Sequence, residues 1–233
     1  MNKEVFIEEL NKLNINITDK QLKQLDAYYN LLIEENKKYN LTSITKEEDV
    51  YLKHFYDSLT ITKIIDLNKE SLCDIGTGAG FPGIVLKILF PNLKVTLLDS
   101  TLKKCNFLKL AIEELNLTDI EVINERAEIY SKKEREKYDI VTSRAVAPLK
   151  HLLEYSVPLV KVNGYYIAMK SDITEEIKGI ESYEKELNIK EINRISFKLP
   201  SENSLRTLIK YIKKEKTNSK YPRKYNEIKK KNL

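Results

Sequence analysis

The chain has 233 residues, 42% hydrophobic and 32% charged, enough for one full domain and a small accessory piece. Two cysteines, Cys73 and Cys105, outside any CxxC pattern, and two distant histidines, His54 and His151, exclude a disulfide framework and argue against a metal site. Net charge is +5, but residues 210–233 hold ten basic and two acidic side chains, which leaves −3 on the first 209. No stretch approaches the roughly 18 apolar residues of a membrane span, so a reduced, cytoplasmic, metal-free protein without membrane contact is expected. Residues 1–67 read as a helical module. Val5, Phe6, Leu10 and Leu13 recur at helical spacing, and Thr18-Asp19 then caps a second run through Leu22, Leu25, Tyr28, Leu32 and Ile33. A third helix is predicted over about Lys46 to Ile65. The module is too short for a sizeable core of its own and is expected to pack on the rest of the chain.

From residue 68 the texture changes. Short apolar strands are predicted at Ser71–Ile75, Lys94–Asp99, Ile120–Asn124, Tyr138–Ser143 and Tyr165–Lys170. Helical stretches fall between them, near Gly83–Phe90, Leu102–Leu115, Glu128–Lys137 and Pro148–Val160. Alternation of this kind predicts an α/β fold with a parallel sheet covered on both faces. A helix around Glu175–Leu187 and two β-rich runs, Ile189–Leu199 and Leu205–Lys213, complete seven strands, the last pair antiparallel. That arrangement fits a Rossmann-like methyltransferase sheet better than a plain dinucleotide fold. Residues 68–215 are assigned to this domain and 216–233 to a basic C-terminal tail, which either binds phosphate or is simply a solvated terminus.

Four of the six glycines, Gly76, Gly78, Gly80 and Gly83, fall within eight positions between the first strand and its helix. An open α/β sheet binds its ligand at such a turn. Two cofactors compete for it. Gly78 to Gly83 satisfies the dinucleotide pattern GxGxxG, with Asp99 at a suitable distance. The register Asp74-Ile75-Gly76-Thr77-Gly78-Ala79-Gly80 instead looks like the first motif of S-adenosylmethionine-dependent methyltransferases, with Asp99 as a double acceptor for ribose hydroxyls. Two acids flanking one glycine loop favour S-adenosylmethionine.

Further segments narrow the resemblance. Asn40-Leu41-Thr42-Ser43-Ile44, His54-Phe55-Tyr56-Asp57-Ser58-Leu59, Leu97-Leu98-Asp99-Ser100, Ser143-Arg144-Ala145-Val146-Ala147-Pro148 and Tyr221-Pro222-Arg223-Lys224 occur in order along the chain. Together they strongly resemble the ribosomal small-subunit methyltransferase G family, formerly glucose-inhibited division protein B. The resemblance implies methylation of N7 of one guanine in the 530 loop of 16S rRNA, with S-adenosylmethionine as cofactor and the small ribosomal subunit or its precursor as partner. A monomer is expected. It further implies cofactor contacts at Asp74, Gly76, Gly78, Gly80, Phe81, Asp99, Ala127, Glu128 and Arg144, and substrate contacts at Arg144, Lys170 and Arg206. Glu128 has a plainer reading as a helix N-terminal acid and Arg144 as a structural ion-pair partner. The family usually has Lys-Gly where this chain has Lys170-Ser171.

Guanine N7 carries a lone pair and no proton, so its methylation requires no general base. No catalytic acid, base or nucleophile is therefore expected, only positioning. His54 and Asp57, three apart on a predicted helix, are read as a local hydrogen bond that fixes the N-terminal module to the sheet domain, and both cysteines as core. A same-fold enzyme acting on a small molecule or protein, or a non-catalytic RNA-binding or cell-division factor, stands as the alternative.

Overall fold

The computed structural model describes residues 1–144 and 146–230. Two capped helices open the chain. Asn2 caps α1 (Lys3–Lys12), and a reciprocal Thr18–Gln21 box caps α2 (Asp19–Tyr39), which ends where Asn40 turns left-handed at φ +50°. The predicted third helix is broken into four pieces: α3 (Glu47–Val50), a π-helical turn (Tyr51–Tyr56), α4 (Asp57–Leu59) and a 3-10 turn (Thr60–Lys63). His54 and Asp57 sit on and just after the widened turn, a device often found near functional sites.

Seven strands follow: β1 (Ser71–Ile75), β2 (Lys94–Asp99), β3 (Ile120–Asn124), β4 (Tyr138–Arg144), β5 (Val160–Lys170), β6 (Ile189–Lys198) and β7 (Leu205–Lys213). They form one sheet in the order β3-β2-β1-β4-β5-β7-β6. The first five are parallel, and β7 runs antiparallel to both β5 and β6. The helices between and after them are α5 (Gly83–Leu89), α6 (Leu102–Glu114), α7 (Ala127–Lys133), α8 (Leu149–Ser156), α9 (Glu181–Leu187) and α10 (Tyr225–Lys230). The helix predicted from Glu175 starts only at Glu181, because Gly179 sits at φ +70° and interrupts the turns before it.

Alternating side chains divide the core between the two faces of the sheet. Leu72, Ile140, Ile167 and Leu208 face one cluster, which Phe6, Leu25, Tyr28, Phe55, Ile84 and Phe107 complete. Cys73, Val141, Tyr166 and Ile209 face the other, with Leu149, Leu153, Tyr183, Tyr221 and Ile228. The N-terminal helices thus bury their apolar faces in the sheet's own core. Cys73 and Cys105 are both buried, as the sequence suggests. Among the described residues no helix is long and apolar enough to cross a membrane, and no three of His, Cys, Asp and Glu group as metal ligands.

The segment after β7 is no free tail. Thr217, Tyr221 and Ile228 are all buried, and α10 lies against the sheet domain. Residues 231–233 and Ala145 of the Ser143–Pro148 motif lie outside the described residues.

Candidate cofactor and substrate site

The carboxyl ends of β1, β2, β3 and β4 meet beside a cavity of about 690 Å³, within the range of small-molecule sites. The glycine loop leaves β1 through Gly76, Gly78 and Gly80 at φ +66°, +62° and +98°. Gly76 lines the cavity, and a Cβ there would come within 2.6 Å of the adjacent Val146 side chain, which also lines it.

Every backbone N–H of the four clustered glycines is already used. Gly76 donates to the Leu98 carbonyl at 2.7 Å and Gly80 to that of Thr77 at 2.9 Å. Gly78 donates to Asp99 Oδ2 at 3.0 Å and Gly83 to Asp74 Oδ2 at 2.8 Å. A pyrophosphate in the dinucleotide register needs such donors free and would meet the Asp99 carboxylate instead. The loop is built for a ligand without phosphates.

Asp74 is fully buried beneath the loop, where it also accepts from the Thr77 hydroxyl at 2.6 Å. Burial raises its pKa to about 6, against the opposing pull of those hydrogen bonds. Its Oδ1 has no hydrogen-bond partner among the described residues. Asp99 stands on the cavity wall. Its Oδ1 accepts from the Thr101 amide at 2.8 Å, and Lys104 Nζ lies 3.9 Å from Oδ2.

Across the cavity, Ala127 and Glu128 begin α7, and the Glu128 carboxylate pairs with Arg126. Glu128 thus occupies a first helical turn, as the plainer reading expects, and also lines the cavity. Arg144 ends β4 and is likewise both ion-pair partner and cavity wall. Its guanidinium donates to the Lys53 carbonyl at 3.1 Å, to Asp57 at 3.3 Å and to His54 Nδ1 at 3.2 Å, and lies 5.3 Å from the Phe81 ring centroid. Burial lowers its pKa, and Asp57 opposes the shift.

His54 has a defined role. A guanidinium can only donate, so Nδ1 accepts and the ring proton sits on Nε2, facing Thr42 Oγ1 at 2.9 Å. The ring stacks on Phe81 at 4.3 Å. Burial, with Arg144 second, pushes its pKa down to about 3. His54 and Asp57 do not bond each other; both hold Arg144, and Asp57 also binds Arg206 at 2.9 Å. They join the N-terminal module to the sheet, as the sequence reading expects, but through Arg144 and Arg206 and not through the expected local hydrogen bond.

Of the residues anticipated from sequence, Gly76, Asp99, Ala127, Glu128 and Arg144 converge on the cavity. Asp74, Gly78, Gly80 and Phe81 lie behind the wall and shape the loop. Lys170 and Arg206 do not reach the cavity. Lys170 binds the Ala147 carbonyl at 2.9 Å and Glu176 at 2.8 Å, holding the segment after β4, while Arg206 is engaged by Asp57. Arg126, Val146, Tyr155, Tyr225 and Lys229 also line the cavity and stand outside the cofactor contacts anticipated from sequence. From sequence Tyr225, like Tyr211 and Tyr221, reads as a ring among the tail's basic charges that could stack on RNA bases; the structure puts it on the cavity wall instead.

Comparison with known proteins agrees with this geometry. The chain is 47% identical to the ribosomal RNA small subunit methyltransferase G of Staphylococcus carnosus (strain TM300), over 96% of this chain and 95% of that protein. Identity to the protein of the same name from Bacillus thuringiensis (strain Al Hakam) is also 47%, with the same coverage. A solved SAM-dependent methyltransferase from Aquifex aeolicus shares the fold, with a TM-score of 0.53 at 14% identity, covering 77% of this chain and 98% of that one. A putative methyltransferase from Bacillus halodurans C-125 does so with a TM-score of 0.53 at 15% identity, over 69% and 100%. The family model for GidB, rRNA small subunit methyltransferase G, matches residues 21–209, which takes in α2, the glycine loop, Asp99 and the Arg144 anchor, and the chain belongs to that family.

Proposed function

We propose that this protein transfers the methyl group of S-adenosylmethionine to N7 of a guanine in the 530 loop of 16S rRNA, in the small ribosomal subunit or its precursor. The observation that carries the cofactor half is the glycine loop whose Gly78 and Gly83 amides are spent on the Asp99 and Asp74 carboxylates, beside a cavity walled by Asp99 and Glu128. These acids suit a cationic, phosphate-free nucleoside. When bound, the cofactor supplies an electrophilic methyl group on a sulfonium centre.

The chain's own residues then position and shield. An ionised carboxylate offers about four lone-pair sites. Asp99 gives one to each of the Gly78 and Thr101 amides and keeps others for ribose hydroxyls. Ala127 and Glu128 receive the adenine edge. Arg144, held from behind by Asp57, His54 and the Lys53 carbonyl, offers a pre-oriented donor to the base. Guanine N7 has no proton to lose, and His54 Nδ1 already accepts from Arg144, so His54 serves as a fixed support and not as a base. The deep major groove of A-form RNA hides N7, which favours a target in a loop that can enter the pocket.

Purified protein with labelled S-adenosylmethionine and small subunits or 16S rRNA tests this. Label is expected in 16S rRNA, and Asp99→Asn should raise the KM for the cofactor about tenfold or more while the KM for rRNA stays put. Absence of label on rRNA, subunits and precursors alike, or an Asp99→Asn variant with unchanged cofactor KM, would overturn the reading.

A further inference from the structure

Composition marks the C-terminus as a solvated basic tail, yet its groups are spent on the protein itself. Arg135 donates to the carbonyls of Thr217 at 2.6 Å, Asn218 at 3.3 Å and Tyr221 at 2.7 Å. Glu154, fully buried on α8, accepts the Arg223 amide at 2.8 Å, its Nε at 2.9 Å and its Nη2 at 2.8 Å. Tyr221 and Ile228 are buried in the apolar cluster beneath. These anchors fix α10 and with it Tyr225. Its ring centroid lies 4.3 Å from the Arg126 guanidinium and 4.7 Å from Lys229 Nζ. Tyr225 and Lys229 share the cavity wall with Ala127 and Glu128.

We infer that residues 217–230 are part of the cofactor site, and that Tyr225 forms the wall on which the adenine ring of S-adenosylmethionine packs. This rests on the reading of the cavity as the S-adenosylmethionine site. Arg126 immediately precedes the turn assigned to adenine, and its side chain is held by Glu128 of that turn. The cation over the tyrosine ring therefore couples α10 to the turn and sets the ring's position. Tyrosine offers a broad flat face with few rotamers to lose, well suited to a purine. The basic charge that looked like an RNA handle is in part the fastening: Arg223 is consumed by Glu154, and Lys220 by Glu186 at 3.0 Å.

Calorimetric titration with S-adenosylhomocysteine and with adenosine tests the inference on full-length protein. Tyr225 is half-buried and its partners Arg126 and Lys229 stand beside it on the cavity wall, so Tyr225→Ala should fold, which its melting temperature checks. We expect Tyr225→Ala to weaken both ligands by the same factor, roughly five- to a hundredfold, the usual range for a base–aromatic stack. Tyr225→Phe should stay within about twofold, and Lys230→Ala, away from the cavity, should change nothing. Unchanged or tighter binding by Tyr225→Ala overturns the inference, as does a loss confined to S-adenosylhomocysteine. Wild-type protein that binds neither ligand would overturn the cofactor reading and this inference together.

Discussion

His54 shows how a single residue's environment decides its role. With Nδ1 given to Arg144 and a ring stacked on Phe81, it is held neutral, with a pKa pushed from 6.5 to about 3. Between those values the unfolded chain takes up a proton that the folded one refuses, so His54's contribution to stability is lost as pH falls from 6.5 towards 3. Asp74 works in the opposite sense: raised from 3.8 to about 6, it makes stability fall as pH rises through that window. In a comparison of wild type with His54→Gln the Asp74 contribution cancels. The stability gap between them should narrow by about 2 kcal/mol from pH 6.5 to pH 5, measured by urea unfolding. A gap independent of pH would contradict the assigned protonation. The folded His54→Gln protein should also keep its single-turnover rate within about tenfold, because no proton is transferred. The sequence made Gly76, Asp99 and Arg144 legible because motif and strand end coincide there. Lys170 and Arg206 were legible as cations but not as internal partners, since Glu176 and Asp57 approach them only through tertiary packing.

At the level of elements, periodicity located all seven strands, and the helix errors fell at ends and inside the third predicted helix, which is broken into four pieces. Helix α7 stops at Lys133, short of the predicted Lys137, with Glu136 at φ +49°. The π-helical turn at Tyr51–Tyr56 has no signature in spacing; it carries His54, with Asp57 just after it, to Arg144. The Arg223–Glu154 pair belongs to this scale as well. Removing one partner of a buried ion pair costs about 3–5 kcal/mol, and here the C-terminal segment can escape that cost by peeling away so that Glu154 is hydrated. Arg223→Ala is therefore expected to speed amide hydrogen exchange at Tyr221 and Ile228 by tenfold or more while β1 amides stay protected. Unchanged exchange at both positions would show that the pair does not hold the segment.

Across the whole molecule, charge is distributed differently from its appearance in the sequence. The chain carries only six arginines, and each is engaged internally: Arg126 with Glu128, Arg135 with C-terminal carbonyls, Arg144 and Arg206 with Asp57, Arg194 with Glu191, Arg223 with Glu154. Arginine's planar fork suits such multi-bond joins, so in this chain it fastens N-terminal module, sheet and C-terminal segment around one cavity. Lysines are left to supply most of any phosphate contact. The proposed target is tested by mapping 16S rRNA from cells lacking this gene and from cells carrying it again on a plasmid. One guanine of the 530 loop should lose its N7-methyl mark in the deletion and regain it with the wild-type gene, and to a smaller extent with the Asp99→Asn variant. A 530 loop whose modification is identical in all these strains would contradict the proposal.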